Sequence, residues 1–93
     1  MNKVTLYKWI YDSGEIGWSL WRAPEYEPIS LEPARDGGSE EYILPDGFHL
    51  REIFPQVPVL FFMGRRGGSL ETQEDGQPAI RLWGSRIFPL QRA

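Results

Sequence analysis

The 93-residue sequence contains no cysteine and only one histidine, His49. The lack of cysteine excludes disulfides, thiolate nucleophiles and Cys-ligated metal centres, and one histidine cannot form a multi-histidine site, so we expect no metal and no cofactor. The longest apolar run, residues 59–63, is far too short to span a bilayer as a helix. Because Thr5 and Lys8 interrupt the apolar core that a signal peptide needs, we expect a cytoplasmic protein.

Charged residues are nearly balanced, with 10 Lys and Arg against 13 Asp and Glu and a net charge of −3. This balance argues against membrane and nucleic-acid partners without excluding nucleic acid. The charges are unevenly placed, since residues 24–46 hold seven acids and one base while residues 47–93 hold six arginines and four acids. We expect two solvated faces of opposite charge.

The composition predicts the fold class. Ten glycines and eight prolines favour many turns and short elements over long helices. Aromatic residues make up 14% of the chain, including four tryptophans, and large rings give a small core much buried area. We predict one mainly β domain, residues 1–93, with a small antiparallel sheet forming a partly open barrel or a sandwich, one short helical turn and a long Pro-rich loop.

The N-terminal region predicts a β-hairpin. Residues 4–11 and 16–22 are rich in β-branched and aromatic types, and residues 12–15 carry turn signals. A two-residue tip at Ser13-Gly14 places Trp9 opposite Trp18, so we predict that both rings are buried and in contact. A three-residue turn would shift this register by one residue and put the two rings on different faces.

The middle of the chain is less regular. Prolines and acids predict that residues 24–41 are mostly loop, with a short extended piece at 29–31. Asp46-Gly47 is compatible with a hairpin turn, but Asp46 could also cap a helical turn over residues 47–54. We favour the helical turn because Ile53 and Phe54 fit no alternating pattern.

The C-terminal half predicts further strands. We expect a buried strand over residues 57–63, a loop over 64–69, a hairpin of 70–73 with 79–83 around Asp75-Gly76, and a last strand over 86–88. The predicted core consists of Leu6, Tyr7, Trp9, Ile10, Trp18, Leu20, Ile43, Phe54, Val59, Phe61, Ile80, Leu82 and Ile87.

The sequence contains no recognised catalytic motif. Asp46 could orient His49 as a general base, but no spacing joins that pair to a serine or threonine nucleophile. The carboxylate pairs lie in turn-like stretches, and none follows a calcium-loop pattern. We therefore predict that the protein is not an enzyme.

The segment Gly64–Ser69 is the first candidate for binding. Glycines can turn backbone N–H groups toward an anion, and Arg65 and Arg66 supply guanidinium donors, although the segment lacks the pattern of a phosphate-binding Walker loop. The candidate ligand- or partner-binding residues are Arg65, Arg66, Arg81, Trp83 and Trp21.

Two functions fit these residues. We favour a small non-catalytic protein-interaction module, because tryptophan, tyrosine and arginine dominate binding hot spots and edge strands allow a homodimer. The alternative is a weak nucleic-acid or phosphate-ligand binder that uses Arg65, Arg66 and exposed aromatics. The salt dependence of binding distinguishes the two functions, because the affinity for phosphate groups falls steeply as the salt concentration rises.

Overall fold

The computed structural model describes residues 2–20, 34–54 and 57–93, and these ranges are mainly β, with ten strands and no helix. None of their segments is therefore a helix long and apolar enough to cross a membrane. The strands are β1 (Lys3–Tyr11), β2 (Ile16–Ser19), β3 (Ala34–Ile43), β4 (Phe48–Phe54), β5 (Val57–Phe62), β6 (Arg65–Arg66), β7 (Ser69–Thr72), β8 (Pro78–Leu82), β9 (Arg86–Pro89) and β10 (Gln91–Arg92).

The strands form three small antiparallel sheets around one core rather than a closed barrel. The strand orders are β10-β3-β1-β2, β4-β5-β6 and β7-β8-β9. All three sheets contribute to one hydrophobic cluster, whose buried members are Val4, Leu6, Trp18, Tyr42, Leu44, Phe48, Leu60, Ile80, Leu82 and Leu90. The shared core explains how sheets of only three or four strands are stable, since each covers an apolar face of the others.

The N-terminal hairpin is present, but its predicted register is wrong by one residue. The Tyr11 N–H donates to the Glu15 carbonyl at 2.9 Å, which leaves a three-residue turn ending at Gly14 with φ 89°. Lys8 therefore lies opposite Trp18. Opposed residues share a face and neighbours alternate, so Trp9 and Trp18 lie on opposite faces. Both are buried as predicted, but only Trp18 belongs to the main core.

Residues 47–54 do not form the predicted helical turn. The Phe48 N–H donates to the Pro45 carbonyl at 3.1 Å in a turn with Gly47 at φ 91°, and β4 then pairs with β5. The register shifts between Glu52 and Phe54, so a bulge explains why Ile53 fits no alternating pattern. The turn signal at Asp46-Gly47 was correct, although the segments flanking it pair with other strands.

Residues 34–41 are strand rather than the predicted loop. They form most of β3, which lies between β1 and β10. Tyr7 lies opposite Ser39 while Trp9 lies opposite Asp36, so three steps of β3 match two of β1. Gly38, with φ 91°, lies in this bulge, so the sheet accommodates the Gly-Gly pair instead of ending at it. The extended piece predicted at 29–31 lies outside the described residues.

The C-terminal predictions are confirmed in outline. β5, the β7–β8 hairpin and β9 occupy the expected segments. The predicted loop over residues 64–69 is wrong in part, since Arg65–Arg66 form β6, which pairs with β5, and β7 begins at Ser69. Five residues of the predicted core are buried, which are Leu6, Trp9, Trp18, Ile80 and Leu82. Six are only half-buried, which are Tyr7, Ile10, Leu20, Ile43, Val59 and Phe61. Ile87 is exposed, because it pairs with Arg81 on the outer face of the third sheet. The prediction missed several buried residues, which are Val4, Tyr11, Tyr42, Leu44, Phe48, Leu60, Ala79 and Leu90.

Candidate partner-binding surface

The turn between β5 and β6 holds a methionine in a strained backbone conformation. Phe62 pairs with Arg65, so Met63 and Gly64 form a two-residue hairpin turn with φ values of 52° and 82°. Two positive φ values are typical of a type I′ turn, which favours Asn-Gly. The left-handed conformation costs a residue with a Cβ about 1–2 kcal/mol. Met63 is nevertheless 72% exposed, so packing does not offset this cost.

The turn between β8 and β9 repeats this combination with a tryptophan. Trp83 has φ 46°, is followed by Gly84 with φ 91°, and is 53% exposed. Across the described ranges, Met63 and Trp83 are the only non-glycine residues with positive φ. They are also the two most exposed large apolar side chains there. Strain and apolar exposure therefore coincide at two turns.

Contacts between side chains connect the two turns. The Trp83 ring meets the edge of Phe62, with centroids 6.0 Å apart, and the Arg65 guanidinium lies 5.1 Å from the Trp83 ring centre. The ring also packs on the backbone of Gly67, where an added Cβ would come within 2.1 Å of the indole Nε1. Glycine at position 67 is thus required for this position of Trp83.

A second arginine stacks close by. The Arg86 guanidinium lies 5.0 Å from the ring centre of Phe88, and Phe88 lies 6.3 Å from Phe62, centroid to centroid. Arginine on an aromatic face gains electrostatic stabilisation while its remaining N–H donors stay free for a partner. We call this surface the basic-aromatic end. It comprises Met63, Arg65, Trp83 and Arg86, supported by Phe62 and Phe88.

The structure separates the two adjacent arginines of the glycine-rich segment. Arg65 pairs with Phe62, while Arg66 pairs with Phe61. Because neighbours in a strand point to opposite faces, Arg66 lies away from Trp83. It lines a different groove, of about 470 Å³, beside Leu20. The Gly67 N–H donates to the Leu60 carbonyl at 3.1 Å and does not turn outward as the sequence suggested.

Arg81 supports the site rather than lying in it. Its side chain pairs with Glu71 and donates to the Gly84 carbonyl at 2.8 Å, so it stabilises the turn that presents Trp83. The hydrogen bond to Glu71 raises the pKa of Arg81 above its usual value. Trp21, the remaining predicted site residue, lies outside the described residues. The structure therefore brings together Arg65 and Trp83 from the predicted set.

His49 lies on another surface. Its ring stacks on Phe61 with centroids 5.7 Å apart, and Arg51 lies 4.9 Å from the centre of the same Phe61 ring. Among the residues that the structure describes, no group of three or more His, Cys, Asp or Glu could hold a metal ion. Sequence reasoning did not identify Met63 as a site residue, although its position between two strand-forming segments in a Met-Gly pair was the available signal.

No family model, no curated protein and no solved structure matches the chain. The function has to be inferred from the chemistry of its own surface.

Proposed function

We propose that the protein is a small non-catalytic interaction module that binds an acidic segment of a partner protein through its basic-aromatic end. One observation carries the proposal: the two strained non-glycine residues, Met63 and Trp83, are also the two most exposed large apolar residues. Strain that folding does not require is common at binding sites. Tryptophan, arginine and methionine are also the residue types enriched in protein interfaces.

The charge of this end indicates the kind of partner. Arg65 and Arg86 are exposed, and no salt bridge joins either to a carboxylate within the described ranges. The Met63 N–H donates to the Gly47 carbonyl, so the turn with exposed Asp46 lies next to this end and contributes one acid. Two bases against one acid leave a local positive charge on a chain of net charge −3. Such a patch favours an acidic partner and speeds its association.

The alternative, a nucleic-acid or phosphate-ligand binder, has weaker support. Arg65 and Arg66 lie on opposite faces and cannot both hold one phosphate, and the Gly67 N–H is already donated. An exposed tryptophan beside a stacked arginine would still accept an unpaired base. We keep the cytoplasmic location as part of the proposal, since a chain without cysteine does not depend on an oxidising compartment.

The test is affinity capture from cell extract, followed by binding measurements with each purified candidate. The variants are Trp83→Ala and Arg65→Glu, and the control is Arg35→Glu, an exposed arginine on β3. We expect one protein to be captured by the wild type and the control but lost with both variants. Its purified form should bind each variant about 10- to 30-fold more weakly, as expected for hot-spot residues.

Two results would contradict the proposal. One is capture of the same proteins by the wild type and both variants. The other is salt-sensitive binding of a fluorescein-labelled single-stranded oligonucleotide that depends on Arg65 and Trp83, with no protein partner recovered. That second result would favour the alternative function.

A further inference from the structure

Two hairpin turns, one between β1 and β2 and one between β7 and β8, have the same form. The Gln73 N–H donates to the Gln77 carbonyl at 2.8 Å, as the Tyr11 N–H does to Glu15 at 2.9 Å. Each encloses a three-residue turn that ends in a glycine with positive φ, 89° at Gly14 and 86° at Gly76. The β1–β2 turn and the β7–β8 turn therefore have the same hairpin geometry.

These two turns meet and form an acidic cleft. The Trp18 indole N–H donates to the Gly76 carbonyl at 3.0 Å, which fixes the second turn against the first sheet. The cleft between them, of about 660 Å³, is lined by Glu15, Glu74 and Asp75 together with Ile16. We call this the acidic end. It carries four exposed carboxylates, of Asp12, Glu15, Glu74 and Asp75.

The acidic and basic-aromatic ends lie at opposite ends of one strand. β8 begins at Pro78, beside the 73–77 turn, and ends at Leu82, beside Trp83. No salt bridge joins the four carboxylates to a cation within the described ranges. One molecule cannot bring its own two ends together, because the extended strand between them is fixed by pairing with β7 and β9. Two molecules can.

We propose that the basic-aromatic end of one copy binds the acidic end of a second copy, so that the protein associates head to tail. This proposal rests on the proposed function for the use of the basic-aromatic end, and the occupant of the acidic cleft is a second copy of this chain. Arg65 and Arg86 would face the carboxylates, and the Met63-Gly64 hairpin tip, with its exposed methionine, would enter the cleft against Ile16. The basic tip and the acidic cleft are complementary in charge.

Head-to-tail contacts determine how large the assembly can grow. Each copy keeps one unused end, so association continues into chains or closes into a ring instead of stopping at a symmetric dimer. The contact joins exposed charges, and salt screens such charges over about 10 Å at 0.1 M. Association should therefore rise with protein concentration at low salt and disappear at high salt.

The experiment uses two variants, each lacking one end. The acid-end variant carries Glu15→Gln and Glu74→Gln, which leaves the Asp75 carboxylate that accepts the Gln77 N–H in the turn. The base-end variant carries Arg65→Gln and Trp83→Ala. The control carries Arg35→Gln and Glu41→Gln, two exposed positions on β3. Sedimentation velocity over a concentration series at low salt, about 20 mM, and high salt, about 300 mM, measures the mass distribution.

We expect the wild type and the control to exceed twice the monomer mass at low salt and to be monomeric at high salt. Each single-end variant alone should be monomeric. Their equimolar mixture should form a 1:1 dimer and nothing larger, because the intact basic-aromatic end of one variant meets the intact acidic end of the other.

Three results would overturn the head-to-tail proposal: a wild type that stays monomeric at low salt, a single-end variant that associates like the wild type, or a mixture that stays monomeric. A symmetric dimer through an edge strand would give the second of these. If the wild type is monomeric but Trp83→Ala and Arg65→Glu still lose a captured partner, head-to-tail association is wrong and the proposed function stands.

Discussion

The two turns that flank β8 use the left-handed backbone region in different ways. At the 73–77 turn, the residue with positive φ is Gly76, which adopts that conformation without strain. At the 83–85 turn, Trp83 takes a positive φ although Gly84 follows it directly. One turn has the residue that its backbone geometry favours, and the other carries a large exposed ring at a strained position.

The two ends of β8 differ in how their side chains are used: one end is packed on the core, and the other presents apolar side chains to solvent. The acidic end is anchored to the core, since Trp18 donates to Gly76 and meets the edge of Tyr42 at a centroid distance of 5.6 Å. The basic-aromatic end presents Met63 and Trp83 to solvent with their backbones strained. Local backbone rules are broken at the basic-aromatic end, where we propose that side chains are presented to a partner, and they hold at the turn that is anchored to the core. Substitutions at the two ends should therefore affect different properties.

The largest expected difference comes from the two tryptophans. Trp18→Ala removes a buried ring and its hydrogen bond to Gly76, and should lower the free energy of unfolding by about 3–5 kcal/mol. Trp83→Ala removes a half-exposed ring and should cost about 1 kcal/mol. Urea denaturation followed by circular dichroism measures both values. Equal losses for the two variants would remove the distinction between the ends.

Tyr42, which packs against Trp18 at the acidic end, also predicts that the stability of the fold depends on pH. Burial and the 2.6 Å hydrogen bond to Glu40 raise the pKa of Tyr42 to about 12, from its ordinary value of 10.0. Below pH 10 the phenol is protonated in both the folded and the unfolded chain, so its contribution to stability is fully present. That contribution is lost as the pH rises from about 10 to about 12, because the unfolded chain releases the phenol proton before the folded chain does.

Tyr42→Phe provides the matched measurement for this loss. The variant should be about 1 kcal/mol less stable than the wild type at neutral pH, because it lacks the hydrogen bond to Glu40. Its stability should then fall less steeply between pH 10 and 12. Parallel curves for the two proteins over that range would show that Tyr42 titrates normally.

Gly67 tests how the ring at the basic-aromatic end is positioned. A methyl group at position 67 would overlap the Trp83 indole, so Gly67→Ala should cost about 1–3 kcal/mol and displace the ring. The same substitution in a Trp83→Ala background should cost much less, because the overlapping atoms are gone. A double-mutant cycle of unfolding free energies gives the coupling, and additive losses would mean that ring and glycine do not touch.

The smallest expected effect is a gain in stability. Met63→Asn places the residue favoured by a type I′ turn before Gly64 and should stabilise the fold by up to about 1 kcal/mol. Partner binding should weaken at the same time, because an exposed apolar contact is lost. Thermal unfolding and a binding titration on the same preparation measure both. A variant that is more stable and binds unchanged would show that Met63 has no part in the interface.

Much of the fold could be read from local patterns, and the errors have physical causes. Asp75-Gly76 correctly predicted the β7–β8 hairpin because that turn and both its strands are adjacent in sequence. The register of the first hairpin was missed because Asp12-Ser13-Gly14 suits either turn length. β3 was missed because it contains a Gly-Gly pair, which local rules assign to a loop. Pairing with β1 and β10, which are distant in sequence, keeps this segment in the sheet.

The residues of the candidate site could be predicted in part, but their arrangement could not. Arg65 and Trp83 were each predicted from residue type, but their contact depends on how the β5–β6 and β8–β9 turns pack, which no local pattern determines. The sequence placed Arg66 with them because it is adjacent, whereas strand geometry turns it to the opposite face.

The most direct test of binding at the basic-aromatic end is an NMR titration of the ¹⁵N-labelled protein with a short glutamate-rich peptide at low salt. The resonances to follow are the indole N–H signals of Trp9, Trp18 and Trp83, together with the backbone amides. We predict that the Trp83 indole and the amides of residues 63–65 and 83–86 shift, that the two buried indoles do not, and that high salt abolishes the shifts. Shifts centred elsewhere, or none at Trp83, would contradict the account.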